Sequence, residues 1–411
     1  MRNPFDTDDR KSFREMVSRF METEIWPYVD DWDEAGSYPH EINEKVCGLG
    51  VFGFGIDEKF GGLGFDDQFM RKDVSSEMGR TSAGGLFASV GSRNIMLGPL
   101  TELANEDIKM KALPDLMSGK KGGSLGITEP SGGSDVAQMK TTAHKDGNEW
   151  VLNGSKTFIT GGMQASYFVI GARTGNEGLG GISLFFVEAD TPGFTRSAIE
   201  KKMGWWSSDT ATLYFDDCRI PADNLMGEEN KGFYAIMNNF NYERYMMGAQ
   251  MLGMAQRCFQ ECIEYSKDRK TFGKSLIEHQ VIRHKLADMS AKIDAMDAYL
   301  NQVAQLMNDG EMPVAEISKI KFFCSECIES IASESMQILG GAGYLRGNAI
   351  ERIYREVKVM AIGGGSKEIM KDLTVKQIRT LNCIPCLQYR RKVFSCLLHS
   401  CRKSFSYKHS R

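Results

Sequence analysis

The stretch Ile127-Thr128-Glu129-Pro130-Ser131-Gly132-Gly133-Ser134-Asp135 lies where the pattern of the sequence changes. Before it, from about residue 7 to 120, apolar residues such as Phe13, Val17 and Phe20 recur at helical spacing with polar residues between them. The sequence therefore predicts a helical region that ends shortly before this stretch.

After the stretch, the sequence is typical of half-buried strands. The dipeptides Asp146-Gly147 and Asn153-Gly154 predict turns, and residues 167–170, 182–187 and 211–215 are strand candidates. Long helical periodicity returns from about residue 231 to 380. The order of helices, a compact antiparallel β unit and helices again predicts an α+β fold.

Composition limits the class of protein. The chain has 411 residues, 42% of them hydrophobic and 25% charged, which excludes a collagen-like or disordered chain and allows two or three domains. No apolar run approaches the roughly 18 residues of a membrane span. The acidic, polar start of the chain does not resemble a leader, so we expect a cytoplasmic protein with reduced thiols. A net charge of −4 gives no reason to expect nucleic acid as a partner.

The end of the chain differs from the rest. Residues 382–411 contain seven Lys or Arg, no Asp or Glu, and four of the ten cysteines. The spacing of Cys383, Cys386, Cys396 and Cys401 fits no strong zinc pattern. A basic arm for a membrane surface or nucleic acid is an alternative. We expect a poorly ordered extension.

A helix that begins near Lys231 carries one carboxylate on its apolar face. Spacings of three and four residues from Phe240 and Met247 place Glu243 on that face, next to Arg244. Burial disfavours the charged form of a carboxylate, so Glu243 must be paired, hydrogen-bonded or protonated. One interpretation is a structural ion pair with Arg244, and the other is a general base whose pKa is raised toward neutrality.

Two glycine-rich segments flank predicted helices. Gly340 and Gly341 follow one helix, where glycine is an ordinary C-cap. Three glycines at 363–365 precede Ser366, a predicted N-cap, and expose backbone N–H groups suited to an oxygen that bears negative charge. Neither segment is a nicotinamide, P-loop or zincin motif, and with six His in the chain we expect no metal site.

Taken together, these segments resemble the acyl-CoA dehydrogenase family over about residues 5 to 380. Residues 127–135 are similar to its flavin-contacting signature, and Asn153-Gly154-Ser155-Lys156-Thr157-Phe158-Ile159-Thr160 follows it. Arg269-Lys270-Thr271-Phe272-Gly273-Lys274 with His279-Gln280 resembles the element that grips FAD of a neighbouring subunit. The cofactor-binding residues that the resemblance implies are Ile127, Thr128, Gly133, Ser134, Phe158, Thr160, Arg269, Phe272, Gln280, Gln337, Gly340, Gly341, Ser366 and Glu368.

The resemblance implies an N-terminal helical domain (1–121), a β-barrel-like middle domain (122–230), a C-terminal four-helix bundle (231–381) and the tail (382–411). It implies non-covalent FAD between the subunits of a homotetramer. The implied reaction is α,β-dehydrogenation of an acyl-CoA, with a carboxylate removing the α-proton and hydride passing to flavin N5. Electrons would then pass to electron-transferring flavoprotein.

The implied base departs from the commonest family pattern. Many members place a catalytic Glu in a late loop, where this chain has Gly364. A minority, similar to isovaleryl- and long-chain acyl-CoA dehydrogenases, carry it on a helix at the position of Glu243. We therefore expect Glu243 to be the general base. The implied substrate-binding residues are Ser134, Asn241, Arg244, Gly364 and Gly365.

Two other functions stay open at this point. The same fold could support a flavin monooxygenase or oxidase, which the oxygen reactivity of the reduced flavin would distinguish. A flavoprotein that binds nucleic acid or a partner through its basic tail would instead show salt-sensitive affinity.

Overall fold

The computed structural model describes residues 4–380, and the predicted tail at 382–411 lies outside the described residues. The first part of the chain is helical, as its apolar periodicity predicts. Its helices are α1 (Asp8–Phe20), α2 (Val29–Ala35), α3 (Glu41–Gly48), α4 (Gln68–Arg80), α5 (Gly84–Leu103) and α6 (Glu106–Ser118). Side-chain caps begin several of them: Asp67 accepts from the backbone N–H groups of Phe69 and Met70, and Asn105 accepts from that of Ile108.

The middle part forms one mixed sheet. Its strands are β1 (Gly122–Gly126), β2 (Thr142–Asp146), β3 (Glu149–Thr160), β4 (Ala165–Arg173), β5 (Ile182–Glu188), β6 (Phe194–Ala198), β7 (Thr210–Pro221) and β8 (Leu225–Met226). Their order is β6-β7-β3-β2-β4-β5-β8, with β1 paired to β4. The strand candidates at 167–170, 182–187 and 211–215 are confirmed, and so is the turn at Asp146-Gly147 between β2 and β3.

Two expectations about the sheet are wrong. The unit is not purely antiparallel, because β1 and β2 each pair with β4 in parallel. Asn153-Gly154 is not a turn but lies inside β3, where the pairing with β7 shifts register. Gly154 has φ +142°, and a Cβ there would lie 2.7 Å from Cα of Thr141. Glycine at this position therefore permits both the bulge in β3 and the close approach of the Thr141 backbone.

The last part of the chain is helical again, apart from a short hairpin. It contains α7 (Gly232–Asp268), β9 (Lys270–Thr271), β10 (Lys274–Ser275), α8 (Gln280–Asn308), α9 (Val314–Leu339), α10 (Ala349–Ile362) and α11 (Lys367–Thr380). Helix α7 starts where its sequence predicts and is 37 residues long. The six cysteines in the described part of the chain are buried free thiols.

Glycines bring α7 against the N-terminal helices. A Cβ on Gly253 of α7 would lie 1.8 Å from the carbonyl oxygen of Ser76 in α4, and one on Gly79 would lie 2.1 Å from that of Gln250. Only glycine permits this approach, which fixes α7 between α4 and α9. The predicted α+β class is confirmed. Within residues 4–380, no helix combines the length and apolar character that crossing a membrane requires.

Candidate active site

Helix α7 places Asn241, Glu243 and Arg244 beside the loop between α10 and α11. The Oε2 atom of Glu243 is buried and has no hydrogen-bond partner. Among residues 4–380, no ion pair joins Arg244 to this carboxylate; Nε of Arg244 donates instead to the carbonyl oxygen of Gly364 (2.8 Å) and its Nη1 to Oδ1 of Asn241 (3.0 Å). The structural ion-pair interpretation of Glu243 is therefore wrong, and its carboxylate is left available.

Burial raises the pKa of Glu243 to about 7, although the nearby charges of Arg244 and Lys321 oppose the shift. A carboxyl group with this pKa can accept a proton near neutral pH and release it again. This is the property that a general base needs.

Lys321, which the sequence patterns above do not single out, lies on α9 and is fully buried. Its Nζ donates to the carbonyl oxygen of Gly365 (2.6 Å). Burial lowers the pKa of Lys321 to about 8, while the charge of Glu243 opposes that lowering. The signal was present: Lys321 follows the buried Ile317 by four residues, so a charge lies on an apolar helix face, as with Glu243.

Gly364 and Gly365 have φ values of +65° and +105°, conformations that favour glycine. A Cβ on Gly364 would lie 2.8 Å from Sδ of Met247 and 3.8 Å from Oε1 of Glu243. The loop thus runs directly beside the carboxylate. Ser366 caps α11 as predicted, with its Oγ accepting from the N–H of Ile369 (3.3 Å). The N-terminal turn of α11 and the Ser366 side chain lower the pKa of the exposed Glu368.

A cavity of about 170 Å³ has Glu243 in its lining. Helix α5 lines it with one face between residues 94 and 102, and α7 lines it between residues 239 and 246. The segment before α4 and its first turn contribute Asp66 and Arg71. The space next to the carboxylate is therefore large enough for a small organic group.

The predicted flavin-contacting segment is anchored to β3 by a buried ion pair. Glu129 accepts from Nζ of Lys156 (2.7 Å) and from the backbone N–H groups of Lys140 and Thr141. Burial raises the pKa of Glu129, but the charge and hydrogen bonds of Lys156 outweigh it and lower the pKa overall. Thr128 accepts from the N–H of Thr157 (2.9 Å). The segment is thereby held in register with the end of β3.

Phe158 lies at that end of β3, with 68% of its surface exposed and φ +57°. A strained backbone seldom holds a large aromatic side chain in solvent unless that side chain contacts a ligand or another protein surface. Among the other predicted flavin contacts, Ile127 is buried, Thr128 and Thr160 are half-buried, and Gly133 and Ser134 are exposed. The exposed ring near the end of β3 and the exposed Gly133 and Ser134, on the segment that Glu129 ties to that strand, fit a flat aromatic cofactor.

Other predicted cofactor residues lie far from Glu243. The helix between Glu243 and Asp268 spans about 38 Å at 1.5 Å per residue. Arg269, Phe272 and Gln280 follow its end, and Phe272 is 98% exposed with φ +51°. Gln337, Gly340 and Gly341 are exposed at the end of α9. Within one chain, therefore, neither the residues after α7 nor those at the end of α9 lie near the carboxylate of Glu243.

Comparison with known proteins agrees with this architecture. Models of the N-terminal, middle and C-terminal domains of acyl-CoA dehydrogenase match residues 7–120, 124–218 and 230–378. The long-chain specific acyl-CoA dehydrogenase of Sus scrofa is 36% identical, over 89% of this chain and 85% of its own length. An acyl-CoA dehydrogenase of Bacillus subtilis is 35% identical over 90% of this chain and 98% of its own length.

Solved structures share the fold. An acyl-CoA dehydrogenase from Geobacillus kaustophilus has a TM-score of 0.87 and 34% identity, covering 91% of this chain and 99% of its own. A glutaryl-CoA dehydrogenase from Mycobacterium smegmatis in complex with FADH2 has a TM-score of 0.86 and 27% identity, covering 91% of this chain and 95% of its own. A chain from a structure of the electron transferring flavoprotein of Acidaminococcus fermentans has a TM-score of 0.87 and 32% identity, covering 92% of this chain and 99% of its own.

The matches to all three domain models define the class of this protein as a flavoprotein oxidoreductase. The chain belongs to the acyl-CoA dehydrogenase family. The predicted family and fold are thereby confirmed, while the domain boundaries at 121/122 and 230/231 and the roles of the site residues stay predictions.

Proposed function

We propose that this protein catalyses the FAD-dependent α,β-dehydrogenation of an acyl-CoA thioester to the trans-2-enoyl-CoA, with Glu243 as general base. The observation that carries the proposal is the buried, unpartnered carboxylate of Glu243 beside the Gly364 loop, with a pKa of about 7. A base of this kind can remove the α-proton of a thioester.

The remaining residues support that proton transfer. Oε2 of Glu243 takes the α-proton, and the backbone N–H of Gly364 donates to the thioester oxygen as negative charge develops on it. Arg244 and Lys321 hold the carbonyl groups of Gly364 and Gly365, so the loop stays aligned with the carboxylate. Bound FAD supplies the acceptor for the β-hydrogen, which leaves with its electron pair as hydride. The proton and hydride together account for the two hydrogens lost.

Residues from more than one subunit would hold FAD. Ile127, Thr128, Gly133, Ser134, Phe158 and Thr160 would contact its flavin end in one subunit, with Ser366 and Glu368 at the start of α11. Arg269, Phe272, Gln280, Gln337, Gly340 and Gly341 would contact the FAD of a neighbour, since they lie too far from Glu243 in their own chain. This division supports an oligomer, and the family resemblance is the support for a homotetramer. On the substrate side, Asn241 and Arg244 would contact the thioester with Ser134 and Gly365.

Electron-transferring flavoprotein is the proposed acceptor of the electrons. The support is the resemblance to family members and the likeness to a chain from a structure of such a flavoprotein. A steady-state assay with purified electron-transferring flavoprotein, run beside one with molecular oxygen, separates this acceptor from an oxidase reaction.

Anaerobic titration tests the dehydrogenation itself. Purified yellow protein is mixed with saturated acyl-CoAs of graded length and branching, and the flavin absorbance near its visible maximum is followed. Bleaching by at least one thioester, with the enoyl-CoA recovered in equal amount, is the expected result. No bleaching by any thioester would overturn the proposal.

A further inference from the structure

The cavity beside Glu243 bears on the acyl group that the enzyme accepts, and this inference rests on the proposed function. If Glu243 removes the α-proton, the carbons beyond the β-carbon must extend into space that this side chain lines. The cavity of about 170 Å³ is lined by Glu243 itself. A cavity of about 150 Å³ is enough to hold benzene, so the space suits an acyl group with roughly four to six further heavy atoms.

The segment before α4 and its first turn bring two charged side chains to the cavity, the exposed Asp66 and the half-buried Arg71, onto a wall that also holds apolar side chains (Phe52, Phe54 and Ile56). Nε of Arg71 donates to Oδ1 of Asp66 (2.5 Å), and Nη2 donates to the carbonyl oxygen of Phe54 (2.6 Å). The guanidinium also lies over the Phe54 ring, 5.4 Å from its centroid. These contacts hold the group in place, yet they use two of the five N–H donors of an Arg side chain. Donors therefore remain for a ligand.

The helices add further polar groups. Asn94, Glu102 and Asn239 line the cavity, and so does Tyr242, next to the proposed base. Burial raises the pKa of Tyr242, with the charges of Asp66 and Glu102 acting in the same direction, so its hydroxyl stays protonated and can donate. Asp66 and Glu102 together outweigh the single positive charge of Arg71.

We propose that the natural acyl group ends in an uncharged hydrogen-bonding oxygen, such as a hydroxyl group, that the Asp66–Arg71 pair and the neighbouring polar side chains bind. An alkyl terminus would displace water from these groups and replace none of its hydrogen bonds. A terminal carboxylate would meet two carboxylates against one guanidinium. A hydroxyl can accept from Arg71 and donate to a carboxylate at once.

Matched acyl-CoAs test this preference. We would compare kcat/KM, with an artificial electron acceptor, for alkanoyl-CoAs of four, six and eight carbons and for their ω-hydroxy and ω-carboxy counterparts. At one length the hydroxy compound should exceed the alkanoyl compound by at least about tenfold, the effect of one hydrogen bond to a charged group. The carboxy compound should be the poorest of the three.

Variants assign the preference to the cavity. Arg71→Leu should reduce the hydroxy-to-alkanoyl ratio toward one, and Glu102→Gln should raise activity with the ω-carboxy compound relative to the alkanoyl one. Glu106→Gln, an exposed residue of α6 outside the cavity, is the control and should change neither ratio. Retained flavin absorbance and unfolding midpoint show that each variant is folded.

The outcomes separate the two proposals. Equal or higher kcat/KM for the alkanoyl compound at every length would overturn the polar-terminus proposal and leave dehydrogenation intact. A hydroxy preference that Arg71→Leu and Glu102→Gln do not change would also overturn it, because the selectivity would then lie elsewhere. Absence of reaction with every compound would instead contradict the proposed function.

Discussion

Gly364 lies directly beside the carboxylate of Glu243: a Cβ on Gly364 would lie 3.8 Å from Oε1 of Glu243, although the two residues are 121 positions apart. The late loop and helix α7 thus converge on one space, to which the loop brings a glycine and α7 brings a carboxylate. The glycine also relieves a steric conflict, because that Cβ would lie 2.8 Å from Sδ of Met247. A base on the helix and a glycine in the loop are therefore complementary features of one site.

The pH dependence of turnover should report the ionisation of Glu243. Since a base acts in its deprotonated form and burial raises the pKa of Glu243 to about 7, kcat/KM should rise with pH through that region and level off above it. Kinetics from pH 5.5 to 9 with one acyl-CoA would measure this. A profile that is flat across the range would contradict the assignment.

Lys321→Met should shift the same profile to higher pH. Removing a buried positive charge near Glu243 favours the protonated carboxyl group, so its pKa should rise further. Lys319→Met, on the same helix and paired with Glu316, is the matched control and should leave the profile in place. An unchanged profile would show that Lys321 does not act on the base, and a shift to lower pH would contradict the predicted sign of its effect.

Gly364→Ala should lower both stability and turnover. A side chain at φ +65° costs about 1–2 kcal/mol, and the contact with Met247 adds to it. Gly310→Ala is the control, since Gly310 has φ +85° but no atom within 4 Å of the added Cβ. It should lose comparable stability in urea unfolding and keep full activity. Equal activity in the two variants would remove the loop from the site.

Lys156→Met should destabilise the segment that carries the proposed flavin contacts. It leaves the carboxylate of Glu129 buried and unpaired, which costs about 3–5 kcal/mol. The double variant with Glu129→Gln should recover part of that loss, because no buried charge is then left unpaired and the single amide oxygen still accepts from one of the N–H groups of Lys140 and Thr141. Urea unfolding and flavin retention measure both effects. A double variant less stable than Lys156→Met would contradict this account of the pair.

Sequence periodicity located Glu243 because a carboxylate on an apolar helix face is visible within one helix. The partners of Arg244 were not visible, since they depend on how the α10–α11 loop packs against α7. Lys321 has the same pattern as Glu243, a charge on an apolar helix face, and could be predicted in the same way. The Glu129–Lys156 pair joins a loop to a strand 27 residues away, and no local pattern indicates it. Asn153-Gly154 has the composition of a turn, but pairing with β7 on both sides keeps it within a strand.

The most direct test of the central claim is the flavin-reduction rate of Glu243→Gln under anaerobic single-turnover conditions. The amide keeps the shape of the side chain but cannot take the α-proton, so reduction by an acyl-CoA that bleaches the wild type should fall by several orders of magnitude, with the bound flavin spectrum unchanged. Glu264→Gln, exposed on the same helix, should reduce at the wild-type rate. Reduction of Glu243→Gln within about tenfold of the wild-type rate would show that another group removes the proton.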